Sequence, residues 1–164
     1  MTKKKTHSPP VRIQVGRLDS AKALFAKLTR DRALLDNEVS SDRFFNFAIT
    51  GYSLIDWIKN DPGVPAAART PQEIVQLNKN EFLAVCGDLA TASKHFHLTT
   101  RPSISTASAD SSQGYGVGRW GKGGYGVGEE SISIRLLDGR VVNALVFADG
   151  VVEVWSTFFA KHGI

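Results

Sequence analysis

The clearest hydrophobic pattern in the chain lies between Glu81 and Leu98, in the sequence EFLAVCGDLATASKHFHL. Apolar or small residues recur there at intervals of three and four, as on the buried face of a helix: Phe82, Val85, Cys86, Leu89, Ala92, Ser93 and Phe96. The same spacing places Asp88, Thr91 and His95 along a neighbouring edge. We therefore predict a core helix whose second half carries the densest group of ionisable side chains.

A more hydrophobic helix is predicted from Asp42 to about Asn60, with Ser41 or Asp42 as its N-cap. It is apolar on nearly all sides, which is typical of a central helix. Gly51 costs about 1 kcal/mol of helix propensity, so we expect a close helix crossing there. Asp56 is the one acid embedded in this apolar pattern, and we expect it to have a structural partner.

Two further helices complete the N-terminal part. The first begins at an N-cap, Asp19 or Ser20, and ends near Asn37. The other begins at a capping box, Thr70–Glu73, in which the threonine and the glutamate side chains satisfy each other's backbone N–H groups. Its inward-facing residues are predicted to be Ile74, Val75 and Leu77.

From Thr99 onward the pattern favours strands. Ser131 to Leu137 alternates apolar and polar residues, with one face formed by Ile132, Ile134 and Leu136. Asp138-Gly139 is typical of a two-residue type I′ hairpin turn. Arg140 to Ala148 is predicted to return as a more buried strand.

The chain ends in a helix that we predict to be capped by Asp149, with an apolar face of Val151, Val152, Trp155, Phe158 and Phe159. A third strand over Val151–Val154 is the competing interpretation, and the helix is favoured. The fold class is therefore α+β: an N-terminal bundle of three to four helices, a small antiparallel hairpin or sheet with a long Gly-rich loop, and a C-terminal helix packing back.

The chain of 164 residues suits one domain. We predict a basic flexible tail over residues 1–17 and a single domain over residues 18–164, helical from 18 to 98, with the Gly-rich loop, hairpin and last helix from 99 to 164. No apolar run approaches the length of a membrane span, and no apolar segment follows the basic N-terminus. We expect a cytoplasmic protein with no membrane partner.

The net charge of +4 comes from the first twelve residues, which hold Lys3, Lys4, Lys5 and Arg12 and no acid. The remainder balances 16 basic against 16 acidic residues. A Lys-rich tail contacts phosphates in some proteins and only aids solubility in others. The single cysteine, Cys86, excludes an internal disulfide and is expected to be buried.

The Gly-rich segment repeats GYGVG ten residues apart, at Gly114 and at Gly124. Aromatic and cationic residues are interspersed among its glycines: Tyr115, Arg119, Trp120, Lys122 and Tyr125. Such a set is suited to stacking unpaired bases and neutralising phosphates. The alternative is a hairpin extension whose aromatic side chains pack on the sheet, and the sequence leaves both open.

A second candidate site is the ionisable group near the end of the Glu81–Leu98 helix. His95 is a candidate general acid or base, with Asp88 orienting it and Lys94 stabilising anionic charge. The alternative is structural, because cations near a helix C-terminus complement its dipole. His95 and His97 with Asp88 make too few convergent ligands for a zinc site, so we expect no metal and no cofactor.

The segments FFNFAITGYSLIDWI and CGDLATASKHF, within Ser41–His97, resemble small bacterial and phage helical proteins and, more distantly, the HEPN superfamily. That resemblance implies a compact helical bundle and, for active members, RNase chemistry using an Arg followed by four to six residues and His. No arginine stands at the corresponding positions before His95, which are Asp88, Leu89 and Ala90.

The sequence therefore leads to one main hypothesis and two alternatives. The main hypothesis is a small intracellular protein that binds a macromolecule, either RNA or single-stranded DNA through the Gly-rich segment and Lys-rich tail, or a protein partner. The first alternative is a HEPN-like RNase or hydrolase using His95. The second is a self-associating structural or assembly protein.

Overall fold

A computed structural model of the protein describes residues 15–95, 105–114 and 129–164, with only the backbone described at residues 93–95 and 129. Its elements are, in chain order, α1 (Ala21–Asn37), α2 (Ser41–Asn60), a 3₁₀ helix (Ala66–Arg69), α3 (Pro71–Lys79), α4 (Glu81–His95), β1 (Thr106–Gly114), β2 (Glu129–Leu136), β3 (Val141–Asn143) and α5 (Ala144–His162). The predicted α+β class is confirmed: four helices precede a three-stranded antiparallel sheet, and a fifth helix follows it.

The N-terminal ends of the first two helices follow ordinary capping chemistry. Ser20 caps α1, since its side chain accepts a hydrogen bond from the Ala23 N–H at 3.2 Å. Ser40 caps α2, not Ser41 or Asp42 as predicted. The backbone of Ser40 is extended, at φ −141° and ψ 153°, and that of Ser41 is already helical.

The capping box at the start of α3 is half formed. The Thr70 side chain accepts from the Glu73 N–H at 3.3 Å. The Glu73 carboxylate, however, accepts from Lys161 Nζ at 2.6 Å and approaches His162 Nε2 at 3.4 Å, so it holds α3 to the end of α5. Of the three residues predicted to face inward, Leu77 is buried and Val75 is 47% exposed, which corrects its predicted position.

The close helix crossing predicted at Gly51 is confirmed. A Cβ atom at this position would lie 3.2 Å from Val151 Cγ1 and 3.4 Å from Cys86 Sγ, so α2, α4 and α5 meet there. The Trp155 indole N–H donates to the Gly51 carbonyl oxygen at 3.1 Å. Cys86 is fully buried, and burial raises the pKa of its thiol.

Asp56 is exposed, which corrects the expectation that it is embedded among apolar side chains. Its neighbours Ile55 and Ile58 face the core. Successive residues of a helix point about 100° apart, so one polar position next to two buried ones is compatible with a central helix that keeps a narrow solvent-facing strip.

The sheet has the order β1-β2-β3, and the inward face of β2 carries Ile132, Ile134 and Leu136 as predicted. The turn between β2 and β3 has three residues, 137–139, because the Leu136 N–H donates to the Arg140 carbonyl oxygen at 2.9 Å. Gly139 adopts φ +87° in this turn. The predicted two-residue type I′ turn is therefore wrong, and the requirement for glycine remains.

The predicted strand over Arg140–Ala148 is wrong beyond Asn143. The Asn143 side chain accepts from the Leu145 N–H at 2.9 Å and caps α5, so the helix starts well before the predicted cap at Asp149. Asp149 lies inside α5 and pairs with Arg32 at 2.7 Å. The preference for a helix over Val151–Val154 is confirmed.

Candidate functional site

Asp88 is a deeply buried ionisable group, with 1% of its surface exposed. Its carboxylate accepts hydrogen bonds from the backbone N–H groups of Ser105 at 2.6 Å and Thr106 at 3.0 Å. Hydrogen bonds to a charged acceptor are stronger than neutral ones. The side chain therefore fixes the start of β1 against α4.

The predicted catalytic group of Asp88, Lys94 and His95 is brought onto one helix, since α4 is continuous through His95. The Cα atoms of Asp88 and His95 are then two turns, or roughly 10 Å, apart. The side chains of Lys94 and His95, and all of His97, lie outside the described part of the chain. Direct orientation of His95 by Asp88 stays a prediction.

Replacing Asp88 with alanine is expected to lower the free energy of unfolding by about 1–3 kcal/mol, because two buried backbone N–H groups lose a charged acceptor. Chemical denaturation measures this loss, and hydrogen exchange should show faster exchange at Thr106. Asp110→Ala removes an exposed carboxylate from β1, the strand that Asp88 contacts, and should change the free energy of unfolding by less than about 0.5 kcal/mol. Equal losses in the two variants would contradict the structural role of Asp88.

A shallow cleft lies between the helices and the hairpin. Its volume is about 190 Å³, and its lining residues come from α2, α4, β1 and β2: Ser41, Phe44, Phe45, Leu89, Ala109, Asp110, Ser111 and Ile132. The floor is apolar, and Phe45 keeps 39% of its surface exposed. Small apolar side chains suit this cleft better than a charged substrate does.

A second contact joins the hairpin to the helical bundle at the edge of this cleft. The Glu130 carboxylate accepts from the Ser41 N–H at 3.0 Å and also from the Ser41 hydroxyl. The hydroxyl bond, together with the backbone bond, lowers the pKa of Glu130 against the opposing effect of burial. A carboxylate is favoured at this place because it faces the positive end of the α2 dipole.

The hairpin formed by β1 and β2 extends beyond these two contacts. Among the described residues, pairing continues as far as Gly114 and Glu129. Most side chains of β1 are exposed, including those from Ala109 to Gln113. Gly114 and Glu129, which border residues 115–128 in the sequence, are therefore paired at the end of the hairpin opposite to the contact with Asp88.

The predicted nucleic-acid-binding residues lie outside the described residues: Tyr115, Arg119, Trp120, Lys122 and Tyr125 in the Gly-rich segment, and Lys3, Lys4 and Lys5 in the tail. The structure describes the residues that border these two segments in the sequence. The hairpin end fixes the positions of Gly114 and Glu129, and a bridged turn over Val15–Leu18 lies at the end of the tail predicted over residues 1–17.

The acidic and basic residues are distributed unevenly between the described ranges and the rest of the chain. The ranges 15–95, 105–114 and 129–164 hold all 16 acidic residues but only 13 of the 20 lysines and arginines. The other seven cations lie in stretches that contain no acid: Lys3, Lys4, Lys5, Arg12, Arg101, Arg119 and Lys122. The described framework is therefore slightly acidic, and the positive charge is concentrated in residues 1–14, 96–104 and 115–128.

Within the described ranges, no group of three or more His, Cys, Asp or Glu side chains is placed to hold a metal ion. No helix in the same ranges combines the length and apolar character needed to cross a membrane. No protein-family model, curated protein or solved structure matches the chain.

Proposed function

We propose that the protein binds single-stranded nucleic acid through its Gly-rich segment, residues 115–128, assisted by the Lys-rich tail. The observation that supports this most is the division of charge. Seven cations lie in residues 1–14, 96–104 and 115–128, which contain no acid, and the described ranges contain every aspartate and glutamate.

This division of charge favours contact of the nucleic acid with particular segments of the chain over contact with the whole protein surface. A slightly acidic framework repels phosphates, and cations concentrated on short stretches attract them, with a strong dependence on salt. The Gly-rich segment adds Tyr115, Trp120 and Tyr125, which supply aromatic faces for stacking. Every base has a face that stacks, so binding of this kind tolerates many sequences.

The hairpin gives the segment a defined attachment. Glu130 holds β2 to the start of α2, and Asp88 holds the start of β1 to α4. A paired strand end therefore joins the segment to the bundle, and this reduces the entropy that an unanchored chain would lose on binding.

The variant Arg119→Ala/Trp120→Ala/Lys122→Ala is expected to weaken binding of a labelled single-stranded RNA at least tenfold, with an unchanged melting temperature. Loss of one stacking contact alone is worth about 1–3 kcal/mol. Fluorescence anisotropy measures the affinity, and thermal denaturation checks the fold.

The matched control is Lys22→Ala/Lys59→Ala, which also removes two positive charges but from exposed positions on α1 and α2. It should retain nearly full affinity. If both variants weaken binding equally, the contact follows net charge and not the Gly-rich segment. If neither does, the proposed site is wrong.

A further inference from the structure

The hairpin of β1 and β2 is attached to the helices in two different ways along its length. At its root, Ile134 and Leu136 are buried in the core, and the Asp88 carboxylate accepts from two backbone N–H groups at the start of β1. The root is therefore fixed by packing and by buried hydrogen bonds. The rest of the hairpin, residues 109–114 and 129–132, is called the distal hairpin below.

The apolar cleft separates the distal hairpin from the helices. Ala109, Ser111 and Ile132 line the cleft from the inward face of the hairpin, and Phe45 and Leu89 line it from α2 and α4. The space between them has a volume of about 190 Å³, and Phe45 keeps 39% of its surface exposed. Protein interiors are normally close-packed, so the apolar contact under the distal hairpin is incomplete.

One polar contact joins the distal hairpin to the helices across this cleft. Glu130 stands two residues before Ile132, so its side chain lies on the same inward face. Its carboxylate accepts from the Ser41 N–H at 3.0 Å and from the Ser41 hydroxyl. Among the residues that the structure describes, no other hydrogen bond or ion pair joins the distal hairpin to a helix. The position of the distal hairpin therefore depends on Glu130 and Ser41.

We propose that Glu130 is a positioning residue for the Gly-rich segment, residues 115–128: its contact with Ser41 holds the distal hairpin on α2, and without that contact the distal hairpin moves away from the cleft while the root stays in place. This inference rests on the proposed function, because the Gly-rich segment is the proposed nucleic-acid site. Glu130 acts through Ser41 and does not touch the nucleic acid. Loss of the contact weakens binding because a longer part of the chain must then be ordered when the complex forms.

The sign of the effect separates this role from simple electrostatics. Glu130 is an acid two residues after the Gly-rich segment in the sequence. If only its charge mattered, removing the carboxylate would strengthen the binding of a polyanion. A positioning role predicts the opposite result. Glu130→Ala is expected to weaken binding of a labelled single-stranded RNA roughly threefold to tenfold, the effect of a few side chains that must be ordered on binding.

Two further variants of the full chain serve as controls in the same fluorescence anisotropy titration. Asp110→Ala removes the same charge from the same hairpin, but the Asp110 carboxylate accepts from the Ser108 hydroxyl of its own strand. This variant should bind as tightly as the wild type or more tightly. Ser41→Ala removes a donor to Glu130 without a change of charge and leaves α2 capped by Ser40. It should weaken binding, as Glu130→Ala does.

Hydrogen exchange in the absence of nucleic acid tests the contact independently of the proposed function. In Glu130→Ala the amides of Ser112 and Gln113 should exchange at least about threefold faster than in the wild type, because the distal hairpin opens locally. The amide of Thr106, at the root, should exchange at the same rate in both proteins. Asp110→Ala should match the wild type at Gln113 and at Thr106.

Equal exchange at Ser112 and Gln113 in the wild type and Glu130→Ala would overturn the inference. Unchanged or tighter RNA binding by Glu130→Ala would overturn it as well, and so would an equal loss of affinity in Asp110→Ala. If the wild type binds no RNA, the proposed function fails, and the exchange comparison alone then decides whether Glu130 holds the distal hairpin.

Discussion

Trp155→Ala is expected to lower the free energy of unfolding by about 3–5 kcal/mol, the usual loss when a fully buried aromatic side chain is removed from a core. Trp155 has no exposed surface and packs edge-on against Phe158 and Phe159. Its indole N–H also donates to the Gly51 carbonyl oxygen. Because typical domains have only about 5–15 kcal/mol of stability, this variant should unfold at a much lower urea concentration.

The control for this prediction is Trp155→Phe, which keeps an aromatic ring and removes the donor. The Gly51 carbonyl then loses its indole partner, and the expected loss is about 1–3 kcal/mol. Urea denaturation of both variants separates packing from hydrogen bonding. Equal stability of the wild type and Trp155→Ala would contradict the central position of this side chain between α2 and α5.

Gly150→Ala is expected to destabilise the protein by about 1–3 kcal/mol, the range for overpacking in a filled core. A Cβ atom at Gly150 would lie 2.4 Å from Phe82 Cε1 and 2.5 Å from Phe82 Cζ. The aromatic ring is rigid, so α4 and α5 would have to move apart. Alanine gains about 1 kcal/mol of helix propensity over glycine, which offsets only part of the strain.

A double-mutant cycle with Phe82→Ala identifies the cause of this loss. In the Phe82→Ala background the ring is absent, and Gly150→Ala should become neutral or stabilising because only the helix propensity remains. Thermal or urea denaturation of the four proteins gives the coupling. An additive cycle would show that the close approach of Phe82 to Gly150 does not limit the packing of α4 on α5.

The parts of the fold that the sequence predicts well are those with a clear period. The alternation of Ile132, Ile134 and Leu136 on β2 and the close approach at Gly51 both follow from local spacing. The stripe predicted on α4 is correct only in part, because Val85 and Cys86 are buried but Leu83 and Ala90, which it omitted, are buried as well. The error over Arg140–Ala148 arises because a short continuous apolar run fits a buried strand and a buried helix equally well. The Asn143 cap decides between them.

The candidate site depends on contacts that local spacing does not encode. Asp88 binds the N–H groups of residues 17 and 18 positions later in the chain, and Glu130 binds Ser41 across 89 positions. Nothing in the sequence near Asp88 distinguishes a buried structural carboxylate from a catalytic one.

The division of charge, in contrast, is present in the sequence and acquires its meaning from the fold. Counted over the chain, the net charge of +4 is modest. Within the described ranges most of the acids lie on helices or strands, and the seven cations outside these ranges stand in residues 1–14, 96–104 and 115–128. Arg101 belongs to this group of cations although it is not among the predicted binding residues.

The most direct test of the central claim is a titration of the purified full chain against labelled single-stranded RNA and DNA at two salt concentrations, with a gel to detect cleavage. The account predicts binding that weakens steeply as salt rises, with the nucleic acid left intact. Cleavage that is lost in His95→Ala would instead support an RNase. Absence of binding at the lower salt concentration, or binding that does not change with salt, would contradict the proposed function.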